Sequence, residues 1–194
     1  MNNFINKDIL EYSEKYSQQE PEILQELNRE THLKILNPRK LSGFFQGRLL
    51  SIISKLIKPK KVLEIGTYTG YSAICIAEGM NKNGIIHTID KNEELNTIQK
   101  KYFKKSGLEN NIIQYNGCAL DIIPKIKEKF DIIFIDADKE NYINYFNLVI
   151  DKLNNNGVIL ADNVLWSGKV INSEDHDLTT NVLREFNKSV NNDN

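Results

Sequence analysis

The sequence predicts an α/β domain in which a doubly wound, mostly parallel sheet follows several N-terminal helices. From Lys61 onward, short apolar runs alternate with helical patterns, which is typical of parallel sheets. The run Phe130–Ile135 is almost continuously apolar, as expected for a central strand that is buried on both faces. We therefore expect one domain over residues 1–194, with a helical segment at 1–58 and the sheet within 59–194.

The N-terminal segment predicts three helices. The first is indicated by apolar residues at helical spacing, namely Ile5, Ile9, Leu10 and Tyr12. Pro21 fits the start of the second helix and Pro38 fits its end. Ser42 is a plausible N-cap for the third. The adjacent Phe44 and Phe45 are either core packing or part of a lid over a ligand, and the sequence leaves both interpretations open.

The remaining chain predicts alternating strands and helices. The strands are expected at Lys61–Ile65, Ile85–Ile89, Ile112–Tyr115, Phe130–Ile135 and Val158–Ala161. The helices are expected at Tyr71–Met80, Glu93–Ser106, shortly after Asp121, at Tyr142–Leu153 and at Leu178–Val190. Because ligands of such sheets bind beyond the carboxyl ends of the strands, functional residues are sought there.

Composition and charge exclude several classes of protein. The formal net charge is −1 and acidic and basic residues are interspersed, so nothing draws the whole chain to nucleic acid or membranes. No apolar run approaches the length that spans a bilayer, and the N-terminus has no apolar signal core. Cys75 and Cys118 lie in apolar surroundings and are interpreted as small buried residues, with a disulfide less favoured. A cytoplasmic location is expected.

The stretch Val62–Gly70 predicts a strand, a tight loop and a helix start. Gly66 and Gly70 would let the backbone approach a ligand closely. Glu64 would repel a pyrophosphate and attract a cation, and the glycines are spaced G-x-x-x-G, unlike the dinucleotide motif G-x-G-x-x-G. These features favour S-adenosylmethionine, which carries an ammonium and a sulfonium. The alternative is an ordinary turn with a surface glutamate.

Two more strand ends offer contacts for a nucleoside. Asp90 follows the second strand and suits a carboxylate that binds ribose hydroxyls, although an acid at a helix start is the alternative. After the third strand, Gly117, Cys118 and Ala119 could let backbone amides approach a base, which is a weak signal alone.

The fourth and fifth strands end in oxygen ligands. Asp136 ends one, and Asp162 with Asn163 ends the other, and neighbouring strands lie about 4.8 Å apart. Two carboxylates and an amide oxygen suit Mg²⁺ or Ca²⁺, whereas helix capping is the alternative interpretation. Lys139, next to this cluster, could act as a base beside a bound cation, or could be a surface lysine.

The combination of four motifs resembles the cation-dependent O-methyltransferases, a family that includes catechol and caffeoyl-CoA O-methyltransferases. The motifs are VLEIGTYTGYSA (62–73), HTID (87–90), FDIIFIDADKENY (130–142) and GVILADNVLWSGKV (157–170). The resemblance extends from Leu33 to Phe186. It implies a Rossmann-like fold with a seven-stranded sheet and a homodimer.

The resemblance assigns roles to individual residues. It implies that Lys139 is the catalytic base. The implied ligands of a divalent metal, Mg²⁺ or else Ca²⁺ or Mn²⁺, are Asp136, Asp162 and Asn163. The implied S-adenosylmethionine contacts are Ser42, Glu64, Gly66, Tyr68, Ser72, Asp90, Ala119, Asp136 and Asp138. Trp166 and the Phe44–Phe45 region would shape the acceptor pocket.

The implied reaction moves a methyl group from S-adenosylmethionine to a hydroxyl of a catechol-like small molecule. An alternative acceptor is a hydroxylated uridine in tRNA, for which a basic face could form from Arg39, Lys40, Arg48 and the lysines at 100, 101, 104 and 105. A solvated helix surface is the preferred interpretation of those residues. A dehydrogenase is disfavoured by Glu64, and a non-catalytic cofactor-binding module by the metal-type residues.

One departure from the family concerns the end of the sequence. Family members continue beyond the last helix into a strand pair with a Gly-Asp-Gly-like turn, whereas this sequence ends at Asn194. We therefore expect that strand pair to be absent from this chain, either because the sequence is a truncated piece or because the final strands are missing, which puts the sheet edge, the dimer and one wall of the pocket in question.

Overall fold

The computed structural model of the protein describes residues 6–193, so Ile5 of the predicted first helix lies outside the described residues. The described residues form a five-stranded sheet in the order β3-β2-β1-β4-β5, and every neighbouring pair is parallel. The strands are β1 (Lys61–Ile65), β2 (Ile85–Asp90), β3 (Ile112–Asn116), β4 (Phe130–Ile135) and β5 (Leu153–Ala161). The predicted α/β class is confirmed.

Helices precede the sheet and connect its strands. They are α1 (Lys7–Lys15), α2 (Glu22–Lys34), α3 (Gly43–Ile57), α4 (Tyr71–Ala77), α5 (Asn96–Lys105), α6 (Ala119–Ile122), α7 (Tyr142–Val149) and α8 (Leu178–Asn192). Short 3₁₀ segments lie at Pro38–Lys40, Glu93–Leu95, Ile123–Lys125, Lys139–Asn141, Ile150–Lys152 and Trp166–Ile171. No helix among residues 6–193 is long and apolar enough to cross a membrane.

The sheet separates two apolar cores because successive side chains of a strand face opposite sides. On β1, Val62 packs into the core beneath α2 to α5, whereas Leu63 and Ile65 pack into the core beneath α6 to α8. Leu24 and Leu27 of α2 are fully buried in the first core. Burying one such leucine contributes about 1.5–3 kcal/mol, so α2 is fixed firmly over the sheet.

Helix α3 is locked against α4 by a buried ion pair and a close approach. Arg48 is almost fully buried and donates two hydrogen bonds to the carboxylate of Glu78, which also accepts one from Ser51. A Cβ atom at Gly47 would lie 2.6 Å from the ring of Tyr71, so only glycine allows this packing. Removing one partner of a buried ion pair costs about 3–5 kcal/mol, and α3 is therefore held in one position.

The outer surface of α3 carries exposed apolar side chains. They are Phe45, Leu49, Ile52 and Leu56. Phe44, by contrast, is half-buried. Phe45 therefore lies on the surface of this chain. The predicted homodimer stays a prediction.

Several local predictions are wrong. Ser42 has helical dihedral angles and makes no side-chain cap, because a capping hydroxyl needs an extended backbone to reach the free amides. Helix α4 ends at Ala77, earlier than predicted, and the turn that follows packs so closely on α3 that a Cβ at Gly79 would lie 2.2 Å from its backbone. The strand β5 begins at Leu153, which pairs beside Phe130 before a bulge of three asparagines. Cys118 is exposed, whereas Cys75 is buried as predicted, and both are free thiols.

Candidate functional site

The loop between β1 and α4 is held in an unusual backbone conformation. Gly66 and Gly70 both have positive φ, and Tyr68 has a φ of 47°. The amides of Gly66 and Thr67 donate to the carbonyl of Ile89, which ties the loop to the end of β2. A Cβ at Gly66 would lie 2.0 Å from the backbone oxygen of Asp136, so the ends of β1 and β4 meet here.

Glu64 lies beneath this loop and is completely buried. Its carboxylate accepts hydrogen bonds from Ser72, at 2.6 Å, and from Thr88. Burial raises the pKa of Glu64 to about 7, although those hydrogen bonds oppose the rise and the nearby charges of Asp136 and Asp90 add to it. The surface-glutamate alternative is therefore wrong. Glu64 holds the start of α4 and the neighbouring strand in register under the candidate cofactor site.

Asp90 ends β2 and organises the same loop from its other side. Its Oδ2 accepts a hydrogen bond of 2.7 Å from the backbone amide of Tyr68, and its Oδ1 accepts one from Asn92. The carbonyl of Tyr68 accepts a hydrogen bond from Gln99, which is almost fully buried. Both peptide groups of Tyr68 are thus fixed, so its positive φ is imposed by partners on β2 and α5.

Asp136, Lys139 and Asp162 come together at the ends of β4 and β5. The Nζ atom of Lys139 lies 3.1 Å from Asp136 Oδ1 and 3.9 Å from Asp162 Oδ2. All three side chains are at most 22% exposed. The pKa of Asp136 is raised to about 6, mainly by burial and then by the charge of Asp162, while Lys139 opposes the rise. Two neighbouring carboxylates repel each other when both are ionised, so a cation beside them favours the ionised pair.

The chemistry of this donor set fits a divalent cation. Asp162 and Asp136 supply carboxylate oxygens, and Asn163 follows directly on the loop, where its backbone has a φ of 59°. The amide nitrogen of Asn163 donates to Asp162, so its side chain would have to turn over to offer the oxygen. Within residues 6–193, no three His, Cys, Asp or Glu side chains are grouped for metal binding. The site has two carboxylates plus an amide, which is the hard-oxygen set that Mg²⁺ accepts when water or substrate completes the shell.

Two residues that sequence reasoning missed support this cluster. The hydroxyl of Tyr142 is fully buried, lies 3.0 Å from the backbone oxygens of both Ile135 and Asp162, and accepts a hydrogen bond from Lys139. Gln46 of α3 donates a hydrogen bond of 3.0 Å to Asp162 Oδ1. Tyr142 stands within a quoted motif and could have been singled out, whereas nothing in the sequence links Gln46 to a residue 116 positions away.

Three further residues were predicted to contact the cofactor, namely Ser42, Ala119 and Asp138. Ala119 is buried at the start of α6, and Ser42 is half-buried before α3. Asp138 accepts hydrogen bonds from Asn141 and from the hydroxyl of Tyr145. Although burial raises the pKa of Asp138, these hydrogen bonds hold it below its usual value. The roles predicted for these three residues stay predictions.

The segment after β5 carries Trp166, whose backbone amide donates to the carbonyl of Asn163. Trp166 and Ser167 have positive φ, and the side chain of Trp166 packs against the core beneath α6 to α8. Arg184 of α8 fixes the segment by donating to the backbone oxygens of Lys169, Val170, Asn172 and Asp175. The wall that Trp166 would form is therefore held by α8.

Three of the seven residues of the predicted basic face are paired with acidic residues. Arg48 is buried against Glu78, Lys101 is paired with Glu30, and Lys105 is paired with Glu26. Arg39, Lys40, Lys100 and Lys104 of that face are exposed, and its interpretation as a solvated surface stays a prediction.

Comparison with known proteins identifies the family. The sequence profile of the O-methyltransferase family matches residues 14–194. This chain belongs to the O-methyltransferase family. It is 38% identical over 149 residues to a caffeoyl-CoA O-methyltransferase of Medicago sativa, a match that covers 73% of this chain and 60% of that protein. It is 34% identical over 146 residues to a catechol O-methyltransferase of Niastella koreensis, covering 73% of this chain and 66% of that protein. The chain thus spans roughly three fifths to two thirds of these relatives.

Solved structures of the family have the same fold. The O-methyltransferase TomG from Streptomyces achromogenes, solved in complex with SAM, superposes with a TM-score of 0.89 at 26% identity, covering 96% of this chain and 85% of that one. An O-methyltransferase from Bacillus cereus in complex with SAH gives a TM-score of 0.89 at 27% identity, covering 96% and 86%. The resemblance inferred from the four motifs is confirmed.

Proposed function

We propose that this protein is a divalent-metal-dependent O-methyltransferase that moves a methyl group from S-adenosylmethionine to a hydroxyl of a catechol-like small molecule. One observation carries the proposal. The glycine loop at the end of β1 touches Asp136 at the end of β4, and Asp136 shares Lys139 with Asp162 at the end of β5. A methyl donor on the loop and an acceptor at the acidic cluster would therefore be neighbours.

The loop residues have the features that a cofactor with a nucleoside and a cationic centre needs. Gly66 leaves room for close approach of the backbone, and Asp90 presents a carboxylate at the end of β2. Glu64 keeps the loop and α4 in place from beneath. The bound SAM of TomG and the bound SAH of the Bacillus cereus enzyme support the same choice of cofactor for this chain.

Asp136, Asp162 and Asn163 would hold the metal ion. When bound, such an ion would stabilise a deprotonated acceptor hydroxyl as a Lewis acid and help to orient it. Lys139 lies beside both carboxylates. After it has given up its own proton, its Nζ atom would take the proton of the acceptor hydroxyl. Holding donor and acceptor in register supplies much of the rate enhancement in a transfer of this kind.

A small phenolic acceptor is preferred to tRNA. The names of the caffeoyl-CoA and catechol O-methyltransferase relatives support a catechol-like hydroxyl. The burial of Arg48 and the pairing of Lys101 and Lys105 with glutamates reduce the positive charge available for binding phosphates, on which nucleic-acid affinity depends.

The test is transfer of labelled methyl groups from S-adenosylmethionine to caffeate, with bulk tRNA as a parallel acceptor. The proposal predicts labelled caffeate that disappears with EDTA and returns with added Mg²⁺. Label on caffeate that survives EDTA would contradict the metal requirement, and label on tRNA alone would contradict the acceptor class.

A further inference from the structure

The two oxygens of Asp162 have different surroundings. Oδ1 accepts a hydrogen bond from Gln46 Nε2 at 3.0 Å. Oδ2 faces the cluster, where Lys139 Nζ lies at 3.9 Å and Asn163 donates its amide. The side chain of Asp162 is only 18% exposed, so a partner for its outer oxygen matters. Gln46 therefore decides which oxygen of Asp162 is available to the cluster.

Gln46 is itself held in place by its neighbours in the chain. Gly47 packs against Tyr71 and Cys75 so closely that a Cβ would not fit. Arg48 forms the buried ion pair with Glu78. Both contacts are to α4 and its C-terminal turn, and α4 begins at the end of the glycine loop. The position of Gln46 is thus tied to the candidate cofactor loop, while its amide reaches the candidate metal site.

We propose that Gln46 is a positioning residue that orients Asp162 for metal binding and connects helix α3 to the metal site. The inference rests on the proposed metal-dependent function. An amide that donates to one oxygen of a ligating carboxylate leaves the other oxygen fixed toward the ion. Loss of such an outer partner typically weakens metal binding 10–100-fold. Gln46 would act through Asp162 and would not touch the reacting atoms.

The test measures Mn²⁺ affinity by electron paramagnetic resonance, without cofactor or acceptor. Gln46→Met keeps the length of the side chain and removes the donor. Leu49→Met is the matched control, since Leu49 lies on the same helix and is 48% exposed. We expect Gln46→Met to weaken Mn²⁺ binding about 10-fold. SAH affinity, measured by calorimetry without metal, should stay within about twofold, and Leu49→Met should change neither affinity.

Gln46→Ala provides a second variant in case the methionine repacks, and it should show the same selective loss. Equal Mn²⁺ affinity in the wild type and both Gln46 variants would overturn the inference. A parallel loss of SAH affinity and thermal stability would also overturn it, because a general structural role would then explain the effect. If the wild-type protein binds no Mn²⁺ at millimolar concentration, the proposed metal site fails and this inference fails with it. If the wild-type protein binds Mn²⁺, its affinity compared with that of the two Gln46 variants tests the role of Gln46 separately from the existence of the metal site.

Discussion

Replacing Glu64 by glutamine should stabilise the cofactor-free protein at alkaline pH, although it changes a residue at the candidate site. Glu64 is fully buried, and burial raises its pKa from 4.5 to about 7. The folded protein therefore binds an extra proton between those two pH values, and its stability falls as the pH rises through that window. Above pH 7 the whole cost of holding a buried carboxylate is present. At 1.36 kcal/mol per pKa unit, that cost is about 3 kcal/mol.

The glutamine removes this cost but also loses one hydrogen bond. Ser72 and Thr88 both donate to the carboxylate, and an amide has only one oxygen to offer, so about 1 kcal/mol is lost. The net gain in the free energy of unfolding at pH 8 is about 2 kcal/mol. For a protein of this size, the melting temperature should rise by about 4–8 °C at pH 8. Below pH 4.5 the carboxyl is protonated in both states, so no ionisation cost is removed and only the lost hydrogen bond remains, which should leave the variant about 1 kcal/mol less stable than the wild type.

The assay is thermal unfolding followed by circular dichroism across pH 4.5 to 8. Glu109→Gln is the control, because it removes an exposed carboxylate of the same kind. The same Glu64→Gln protein should bind SAH more weakly, since Ser72 would lose its anionic partner. A difference in melting temperature that does not grow between pH 4.5 and 7 would refute the reasoning, as would a variant less stable than the wild type at pH 8.

Three further substitutions test how the site is held. Gly66→Ala places a Cβ 2.0 Å from the backbone oxygen of Asp136, at a residue whose φ is 105°. We expect SAH affinity, measured by calorimetry, to fall and kcat/KM to drop about 100-fold. Unchanged SAH affinity would contradict this. Tyr142→Phe removes the hydroxyl between the ends of β4 and β5 and should lower the free energy of unfolding in urea by about 1–3 kcal/mol, whereas a neutral change would contradict it. Arg184→Ala removes the hydrogen bonds that hold the segment after Asp162. We expect trypsin to cleave that segment faster and the emission of the chain's one tryptophan to shift to longer wavelength. Digestion and emission identical to those of the wild type would refute the role of Arg184.

The sequence was sufficient to predict which polar side chains gather at the ends of β4 and β5. Alternating patterns predict a parallel sheet, and in such a sheet functional side chains gather beyond the carboxyl ends of the strands. That rule was enough to expect Asp136 near Asp162, because β4 and β5 are consecutive in the chain and adjacent in the sheet. The tight loop at Gly66 and Gly70 could likewise be predicted, because both residues have a positive φ, which glycine adopts without strain.

Contacts that depend on register and on long-range packing could not be predicted. Glu64 is buried because β1 pairs with β2 in a register that sets it opposite Thr88. No local pattern reports that register. The hydrogen bond from Gln46 to Asp162 depends on how α3 packs on α4, which is set by Gly47 and Arg48. A helix pattern gives the apolar face of α3 and does not give its direction across the sheet.

The bulge in β5 shows the same limit at a smaller scale. Leu153 was predicted to end the helix that begins at Tyr142. In the structure it pairs beside Phe130, while the asparagines that follow bulge out and Asn154 donates to Asp131. Pairing with the neighbouring strand overrode the local pattern.

The central claim is that a methyl donor on the β1 loop and a divalent ion at the acidic cluster bind side by side. The most direct measurement is the nuclear magnetic resonance signal of S-adenosylmethionine carrying a ¹³C-labelled methyl group, bound to the protein with Mg²⁺ and then with Mn²⁺. The account predicts strong broadening of the methyl signal by Mn²⁺, and no such broadening in Asp162→Ala. A methyl signal that stays sharp while both the cofactor and Mn²⁺ are bound to the wild-type protein would contradict it.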